Sequence, residues 1–259
     1  PENRYLRKLY NNRLSQESET LNLPSGQEIK HIQPFEAYCE YKDLFIQGIY
    51  HFTSEKKNPV IVDGGAYVGF SILYFKHLYP EAQITAFECD PELFHKCQEN
   101  LKTNALEDVK LINAALASKN GERTFFRSGD DGGALKPSDD HELNDDDFKV
   151  LACKLSDYLN NEVDFLKLNI EGAEFEVLAE AEEKLENVKE LVIEFHSFAG
   201  QEQRLQELLT ILSRKGFRYL LNHFDYESNL AVKPPFHLDQ NSTYILLLYA
   251  KNFNKIGKN

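Results

Sequence analysis

Short apolar runs alternate with amphipathic stretches from Pro59 almost to the end of the chain. The runs indicate strands, and apolar residues that recur every three or four positions indicate helices that bury one face. Strands that alternate with helices are typical of βαβ units on a mainly parallel sheet. The pattern therefore predicts an α/β fold with a doubly wound, mostly parallel sheet.

Five apolar runs are predicted as parallel strands: 59–63, 83–88, 109–117, 165–170 and 191–195. The last three are almost wholly apolar, as in strands buried on both faces, so we expect them at the sheet centre. Two further strands are expected to pair antiparallel at the end of the chain: 218–222 and 243–249. Helices are expected after Gly69, after Asp90 as N-cap with Pro91 at the first helical position, around 175–185 and around 205–212.

Two segments depart from this alternation. Residues 1–57 are polar and irregular, with helical patches at 4–14 and 41–52, and are predicted to form a cap on a domain spanning 58–259. Residues 125–147 are rich in Asp, Glu and Gly, and we expect a solvated loop because runs of like charge stay hydrated. A lid over the substrate and a divalent-cation site remain alternatives for this loop.

The first strand leads through a glycine-containing turn, Asp63-Gly64-Gly65-Ala66-Tyr67-Val68-Gly69, into a helix. Glycines let backbone approach a ligand closely, and a helix N-terminus presents N–H groups to it. Glu88 ends the next strand, where a carboxylate can accept both hydroxyl protons of a ribose. Together these features predict a site for a small nucleotide-like molecule.

The charges at this turn favour one cofactor over another. The glycine spacing differs from the dinucleotide fingerprint G-x-G-x-x-G, and Asp63 would repel a pyrophosphate. S-adenosylmethionine has no phosphate and carries a positive ammonium and sulfonium, so it is favoured over NAD. The backbone around Asn113 and Ala114 is expected to lie at the edge of the adenine. The predicted cofactor-binding residues are Asp63, Gly64, Gly65, Ala66, Tyr67, Gly69, Glu88, Cys89, Asn113 and Ala114.

Three stretches resemble the FkbM family of class I methyltransferases: the turn at 63–69, Ala86-Phe87-Glu88-Cys89-Asp90-Pro91, and above all Asp164-Phe165-Leu166-Lys167-Leu168-Asn169-Ile170-Glu171-Gly172-Ala173-Glu174. The resemblance implies a Rossmann-like seven-stranded sheet, S-adenosylmethionine as methyl donor, and hydroxyl acceptors on sugars, polyketides or other natural products. Two positions depart from the family pattern, which usually has Asn at Tyr67 and Asp at Asn169. Because an amide cannot take up a proton, a base role does not carry over to Asn169.

The predicted catalytic residues are His196, Glu171 and Asn169, because ligands of open α/β sheets lie outside the carboxyl ends of the strands. His196 is predicted as the base, since neutral imidazole with an unperturbed pKa of about 6.5 can accept a hydroxyl proton. A histidine that merely caps a strand is the alternative. Glu171 is expected to bind the donor's ammonium or an acceptor hydroxyl, or only to complement a helix dipole.

Two further carboxylates are expected to play supporting parts. Glu174 is expected behind the site or on the surface. Glu194 lies inside an apolar strand, where an ionised side chain needs a hydrogen-bond partner, so it is expected to be structural or to orient the substrate.

The overall charge excludes some classes of partner. The 259 residues include 29 Lys and Arg against 42 Asp and Glu, a net charge of −13 that disfavours nucleic acid. The longest apolar stretch, 244–250, is far shorter than the roughly 20 residues of a membrane-spanning helix, and no signal-peptide pattern is visible, so a cytoplasmic protein is expected. No ligand spacing such as H-E-x-x-H predicts a metal.

The sequence thus predicts an S-adenosylmethionine-dependent O-methyltransferase for a small hydroxylated acceptor, with no nucleic-acid or membrane partner. Whether the chain forms a homo-oligomer stays open. The alternatives are an N-methyltransferase or protein-directed methyltransferase, a cofactor-binding protein without turnover, and a nicotinamide oxidoreductase.

Overall fold

The computed structural model describes residues 20–127, 133–135, 147–223 and 242–255, apart from residues 24 and 200. In chain order the strands are β1 (Thr20–Asn22), β2 (Glu28–Lys30), β3 (Val60–Gly64), β4 (Gln83–Phe87), β5 (Lys110–Ile112), β6 (Ala115–Leu116), β7 (Gly121–Arg127), β8 (Gly133–Leu135), β9 (Asp147–Cys153), β10 (Val163–Leu168), β11 (Val188–Ser197), β12 (Phe217–His223) and β13 (Tyr244–Asn252). The α-helices are α1 (Pro34–Tyr41), α2 (Phe70–Leu78), α3 (Pro91–Thr103), α4 (Glu174–Glu180) and α5 (Leu205–Arg214). A π-helix spans Lys42–Gln47, and short 3-10 helices span Leu155–Tyr158 and Glu182–Asn187.

Within the described residues, seven strands form a central sheet in the order β12-β13-β11-β10-β3-β4-β5. The five strands from β11 to β5 run parallel, and β13 pairs antiparallel with both β11 and β12. The prediction of a doubly wound, mostly parallel seven-stranded sheet is confirmed. The chain passes from β3 to β4 on one side and places β10 on the other, so the sheet has a topological switch point between β3 and β10, where ligands of such folds bind.

Apolar side chains cover both faces of the sheet. Phe165 and Ile61 pack with α2, α3 and the N-terminal segment on one face, whereas Leu166 and Leu168 pack with α4 and α5 on the other. This alternation follows from the two-residue period of β10. The N-terminal segment joins the first face through Phe52, whose ring stacks on Phe165 with centroids 4.5 Å apart.

The prediction for residues 109–117 is wrong in two respects. They form two strands rather than one, and β5 lies at the edge of the central sheet rather than at its centre. The reason is a tight turn in which the Ala114 N–H donates to the Ile112 carbonyl (3.0 Å). Beyond it, β6 leaves the central sheet and pairs with β9 in a four-stranded sheet ordered β6-β9-β7-β8.

The structure also differs from the predictions for the acidic segment and for the N-terminal segment. Part of the acidic segment is strand rather than loop, because 125–127 and 133–135 form an antiparallel pair and β9 begins at Asp147. In the N-terminal part, the helical patch expected at 41–52 is a π-helix that follows α1, and β1 and β2 form a hairpin. The helical patch at 4–14 and the remaining acidic residues lie outside the described residues. No helix in the described ranges has the length and apolarity that crossing a membrane requires.

The helix predicted after Asp90 is confirmed in its capping. The Asp90 carboxylate accepts from the N–H groups of Glu92 (2.8 Å) and Leu93 (3.4 Å), and Pro91 occupies the first helical position. Later in this helix, α3, Asn100 fastens β2: its side chain accepts from the Lys30 N–H (2.8 Å) and donates to the carbonyls of Lys30 (2.9 Å) and Val68 (2.8 Å).

Replacement of Asn100 by Ala should destabilise the protein by about 3 kcal/mol. The substitution leaves the Lys30 N–H and the carbonyls of Lys30 and Val68 without their hydrogen-bond partner at a fully buried position. Urea denaturation measures this loss. The exposed neighbour Gln98 provides the control, and Gln98→Ala should change the free energy of unfolding by less than about 0.5 kcal/mol. Equal effects of the two substitutions would contradict the role of Asn100.

Candidate active site at the carboxyl ends of the parallel strands

The end of β3 is held by a buried ion pair. Asp63 is fully buried, and its Oδ1 lies 3.1 Å from Nζ of Lys167, which stands beside it in the β3–β10 register. Ser71 donates a hydrogen bond of 2.6 Å to the other carboxylate oxygen. The Lys167 ammonium also donates to the carbonyls of Gly64 (3.2 Å) and Gly65. Asp63 therefore acts on the turn through Lys167, which compensates its charge and bonds the turn carbonyls.

The glycines of the turn are required by packing against β10. Gly65 has a φ of 86°, and a Cβ there would overlap the Asn169 carbonyl oxygen. A Cβ at Gly64 would come within 2.8 Å of Leu116 and 2.9 Å of Leu168. Because the N–H groups of Gly65 (3.0 Å) and Ala66 (2.8 Å) both donate to the Phe87 carbonyl, the turn is also fixed to the end of β4.

Tyr67 and Gly69 complete the turn in left-handed backbone conformations, with φ values of 51° and 103°. The Tyr67 N–H donates to Oε2 of Glu88 (2.8 Å), and its hydroxyl donates to Oε2 of Glu36 on α1 (2.6 Å). The N-terminal segment therefore reaches the predicted cofactor loop. The role of Tyr67 as a cofactor-binding residue stays a prediction.

Glu88 stands just beyond β4 with both carboxylate oxygens engaged by backbone. Oε1 accepts from the Asp90 N–H (2.9 Å), and Oε2 accepts from Tyr67. Burial raises the pKa of Glu88 to about 7, against the lowering effect of the two backbone hydrogen bonds. Each oxygen bonds one N–H and keeps capacity for a further donor, as a ribose-binding carboxylate requires.

Asn113 links the following strand to this site. Its side-chain amide donates to the carbonyls of Glu88 (2.9 Å) and Cys89 (3.2 Å). Ala114 is buried beside it, and Cys89 is half-buried against a small apolar cluster of Ala115, Phe125, Val150 and Phe148. The residues predicted around the adenine are therefore neighbours in space.

A second polar group lies at the ends of β10 and β11. Asn169 donates to Oε2 of Glu194 (3.1 Å), and the hydroxyl of Tyr50, from the N-terminal segment, donates to Oε1 of Glu194. Burial raises the pKa of Glu194, and the Tyr50 bond opposes this rise. The expectation that Glu194 is hydrogen-bonded is confirmed.

His196 lies between two carboxylates. Its Nδ1 is 3.0 Å from Oε1 of Glu174, and its Nε2 is 3.6 Å from Oε2 of Glu171. Burial lowers the pKa of His196, but the charge and hydrogen bond of Glu174, together with Glu171 and Glu194, raise it to about 9. This shift favours the charged form of the imidazole, whereas the predicted base role needs the neutral form, and that role stays a prediction. Glu174 is fully buried rather than at the surface.

Lys167, Tyr50 and Glu36 were not singled out from the sequence. Lys167 could have been found from the sequence, because it lies in a mainly apolar run and a lysine buried in a strand needs an anionic partner. Nothing in the sequence indicates the roles of Tyr50 and Glu36, since their hydrogen-bond partners lie 144 and 31 positions away. Among the side chains that the structure describes, no group of three or more His, Cys, Asp or Glu is arranged for a metal ion.

Comparison with protein families matches residues 63–219 to the methyltransferase FkbM domain. This match covers more than half of the chain. The chain belongs to the FkbM family of methyltransferases. The resemblance seen in the turn at 63–69 and in the stretch at 164–174 is thereby confirmed, as is the assignment to methyltransferase enzymes.

Individual relatives of this FkbM-family chain agree with the domain match. Methyltransferase sdnD of Sordaria araneosa is 31% identical over 220 residues, covering 72% of this chain and 84% of its own. The 2-O-methyltransferase NoeI of Sinorhizobium fredii is 28% identical over 159 residues, or 54% and 65% of the two chains. The 31-O-demethyl-FK506 methyltransferase FkbM of Streptomyces tacrolimicus is 24% identical over 234 residues, or 77% and 88%.

A solved structure supports the fold of this FkbM-family chain. The crystal structure of methyltransferase FkbM from Methylobacillus flagellatus KT superposes with a TM-score of 0.52 at 18% identity. The match covers 81% of this chain and 47% of that one, so this chain spans about half the length of that solved structure.

Proposed function

We propose that the chain transfers the methyl group of S-adenosylmethionine to a hydroxyl group of a small molecule. The observation that carries the proposal is the Glu88 carboxylate, held by two backbone N–H groups at the end of β4 and beside the turn after β3. Its remaining acceptor capacity suits the two hydroxyl groups of a ribose. The cofactor supplies an electrophilic methyl group when it is bound.

The residues around Glu88 suit the other parts of this cofactor. Asn113 and the backbone it holds, with Cys89 and Ala114, would border the adenine. Gly65, Ala66, Tyr67 and Gly69 would shape the wall at the turn. Because Lys167 compensates Asp63, we propose that Asp63 and Gly64 act by fixing the turn rather than by touching the donor. Asp63 therefore repels a pyrophosphate only weakly. S-adenosylmethionine is preferred over NAD because the chain belongs to a family of methyltransferases.

The choice of an oxygen acceptor rests on the relatives. NoeI is named a 2-O-methyltransferase, and FkbM is named for the methylation of a 31-O-demethyl compound. Of the polar groups at the ends of β10 and β11, Asn169 and Glu171 are proposed to face the acceptor, with the buried His196 behind Glu171. Residues 1–57 are proposed as a cap that selects the acceptor, and within it Glu36 and Tyr50 contact residues of the site.

Incubation of the purified protein with methyl-labelled S-adenosylmethionine and a panel of sugars, polyketides and amines tests the proposal. Mass spectrometry should find the label as an ether on a hydroxylated acceptor. Label on nitrogen or on a protein would overturn the O-methyltransferase assignment. Tight binding of S-adenosylhomocysteine without transfer to any acceptor would favour a binding protein without turnover.

Binding of S-adenosylhomocysteine should strengthen with pH. Because the ionised carboxylate is the better acceptor for ribose hydroxyls, and the pKa of Glu88 is about 7, affinity should rise about tenfold between pH 6 and pH 8. Calorimetry should also show proton release on binding at pH 6.

The Glu88→Gln variant should lose this pH dependence. The variant is needed because Glu40 could also titrate in this range, since burial and Glu194 raise its pKa to about 8. The same slope in wild type and variant would show that another group titrates.

A further inference from the structure

Glu174 anchors a row of three titratable side chains. Its Oε1 accepts from the N–H groups of Ile170 (3.2 Å) and Gly172 (3.1 Å) and also contacts Nδ1 of His196 (3.0 Å). The loop after β10 is thus folded around a carboxylate that is itself fully buried. This geometry fixes both the loop and one side of the imidazole.

The opposite edge of the imidazole is directed at Glu171. Its Nε2 lies 3.6 Å from Oε2 of Glu171, whose side chain is 38% exposed. The Phe198 ring stacks on the imidazole with centroids 5.7 Å apart, and a Cβ at Gly172 would come within 2.8 Å of Phe198. The imidazole therefore has little freedom to turn away from Glu171.

Glu171 is held in an uncommon backbone conformation. Its φ of 52° lies in the left-handed region, which costs free energy for a residue with a side chain. Glu171 lies three positions beyond the end of β10, which borders the switch point, and its side chain is 38% exposed, whereas those of His196 and Glu174 are 5% and 0% exposed. Among the three side chains, Glu171 is the one that an acceptor in the crevice can reach.

The charges of Glu174, His196 and Glu171 favour Glu171 over His196 as the group that accepts the proton. Three carboxylates, Glu174, Glu171 and Glu194, act on His196 and raise its pKa, which favours the doubly protonated ring over the neutral ring that a base requires. From β13, the residue paired with His196 is the uncharged Ile245. Burial raises the pKa of Glu171, which His196 and Lys167 oppose, and a base is more effective as its pKa approaches the working pH.

We propose that Glu174 is a positioning residue that keeps His196 charged and oriented, and that His196 in turn holds Glu171 as the carboxylate that removes the acceptor's proton. This inference rests on the proposed function and replaces His196 as the base. The acceptor oxygen forms a bond to the methyl carbon while the carbon–sulfur bond breaks and its electron pair stays on sulfur. The hydroxyl proton passes to Glu171 and then to water.

Nuclear magnetic resonance of the His196 ring, recorded against pH on the full chain without ligand, tests the positioning role apart from activity. In the wild type, the ring should titrate near pH 9. Glu174→Gln should move this titration down by at least two pH units, because it removes the nearest negative charge and its hydrogen bond. The exposed Glu176 on the same helix provides the matched control, and Glu176→Gln should leave the titration unchanged.

Turnover completes the test once an acceptor is found. Glu171→Gln should lower kcat by about 10²- to 10⁴-fold, the usual contribution of a positioned base, while S-adenosylhomocysteine affinity stays within threefold. Glu171 is partly exposed, so this variant keeps the inference testable if Glu174→Gln does not fold. A wild-type His196 that titrates near pH 6.5, or a Glu171→Gln enzyme with normal kcat, would overturn the inference and leave the proposed methyl transfer standing.

Discussion

Replacement of Glu88 by Ala should weaken the binding of S-adenosylhomocysteine by about 100-fold or more. The substitution removes a carboxylate that is proposed to accept both ribose hydroxyls, and hydrogen bonds to a charged group contribute about 1.5–3 kcal/mol each. It also removes the acceptor of the Tyr67 and Asp90 N–H groups, so the turn and the start of α3 lose a shared anchor. Titration calorimetry with the purified variant measures the loss.

The control for this experiment lies at the other end of the same strand. Glu81 is exposed and precedes β4, so Glu81→Ala changes charge by the same amount far from the crevice. Its affinity for S-adenosylhomocysteine should equal that of the wild type. Circular dichroism and thermal unfolding establish that both variants are folded. A folded Glu88→Ala protein with affinity within threefold of the wild type would remove Glu88 from the site.

Replacement of Lys167 by Met should destabilise the protein by about 3–5 kcal/mol, the usual loss when one partner of a buried ion pair is removed. Among the side chains placed by the structure, the fully buried Asp63 carboxylate would keep the Ser71 hydroxyl as its one polar partner. The carbonyls of Gly64 and Gly65 would lose their donor as well, so the turn should loosen. Denaturation in urea gives the change in the free energy of unfolding.

A second substitution distinguishes the ion pair from packing. In the double variant Lys167→Met with Asp63→Asn, the uncompensated charge is gone, so part of the lost stability should return. Lys30→Met is the surface control, because the Lys30–Glu99 pair is exposed and worth at most about 1 kcal/mol. Equal losses for Lys167→Met and Lys30→Met would contradict the account of Lys167.

Local chemistry explains which parts of the fold could be predicted from the sequence. The Asp90 cap needs only the next three residues, and the main parts of β10 and β11 are almost wholly apolar in sequence, so their prediction succeeded. The run at 109–117 looks equally continuous, but its division depends on pairing with β9 more than thirty positions later. A single run carries no information on such a partner.

The site shows the same limit in its charges. The carboxyl ends of parallel strands share one edge of a sheet, so Asn169, Glu171 and His196 could be expected at that edge, and the contact of His196 with Glu171 agrees with this expectation. The ionisation of His196 could not, because it depends on the orientation of Glu174 around a loop whose backbone geometry the sequence does not reveal. Likewise, Lys167 compensates Asp63 only because β10 and β3 align those two residues side by side.

The most direct test of the proposed site is a crystal structure of the protein with S-adenosylhomocysteine bound. We expect both ribose hydroxyls within hydrogen-bonding distance of the Glu88 carboxylate, with the adenine beside Asn113 and Ala114. A nucleoside bound elsewhere, or a Glu88 side chain turned away from the ribose, would contradict it.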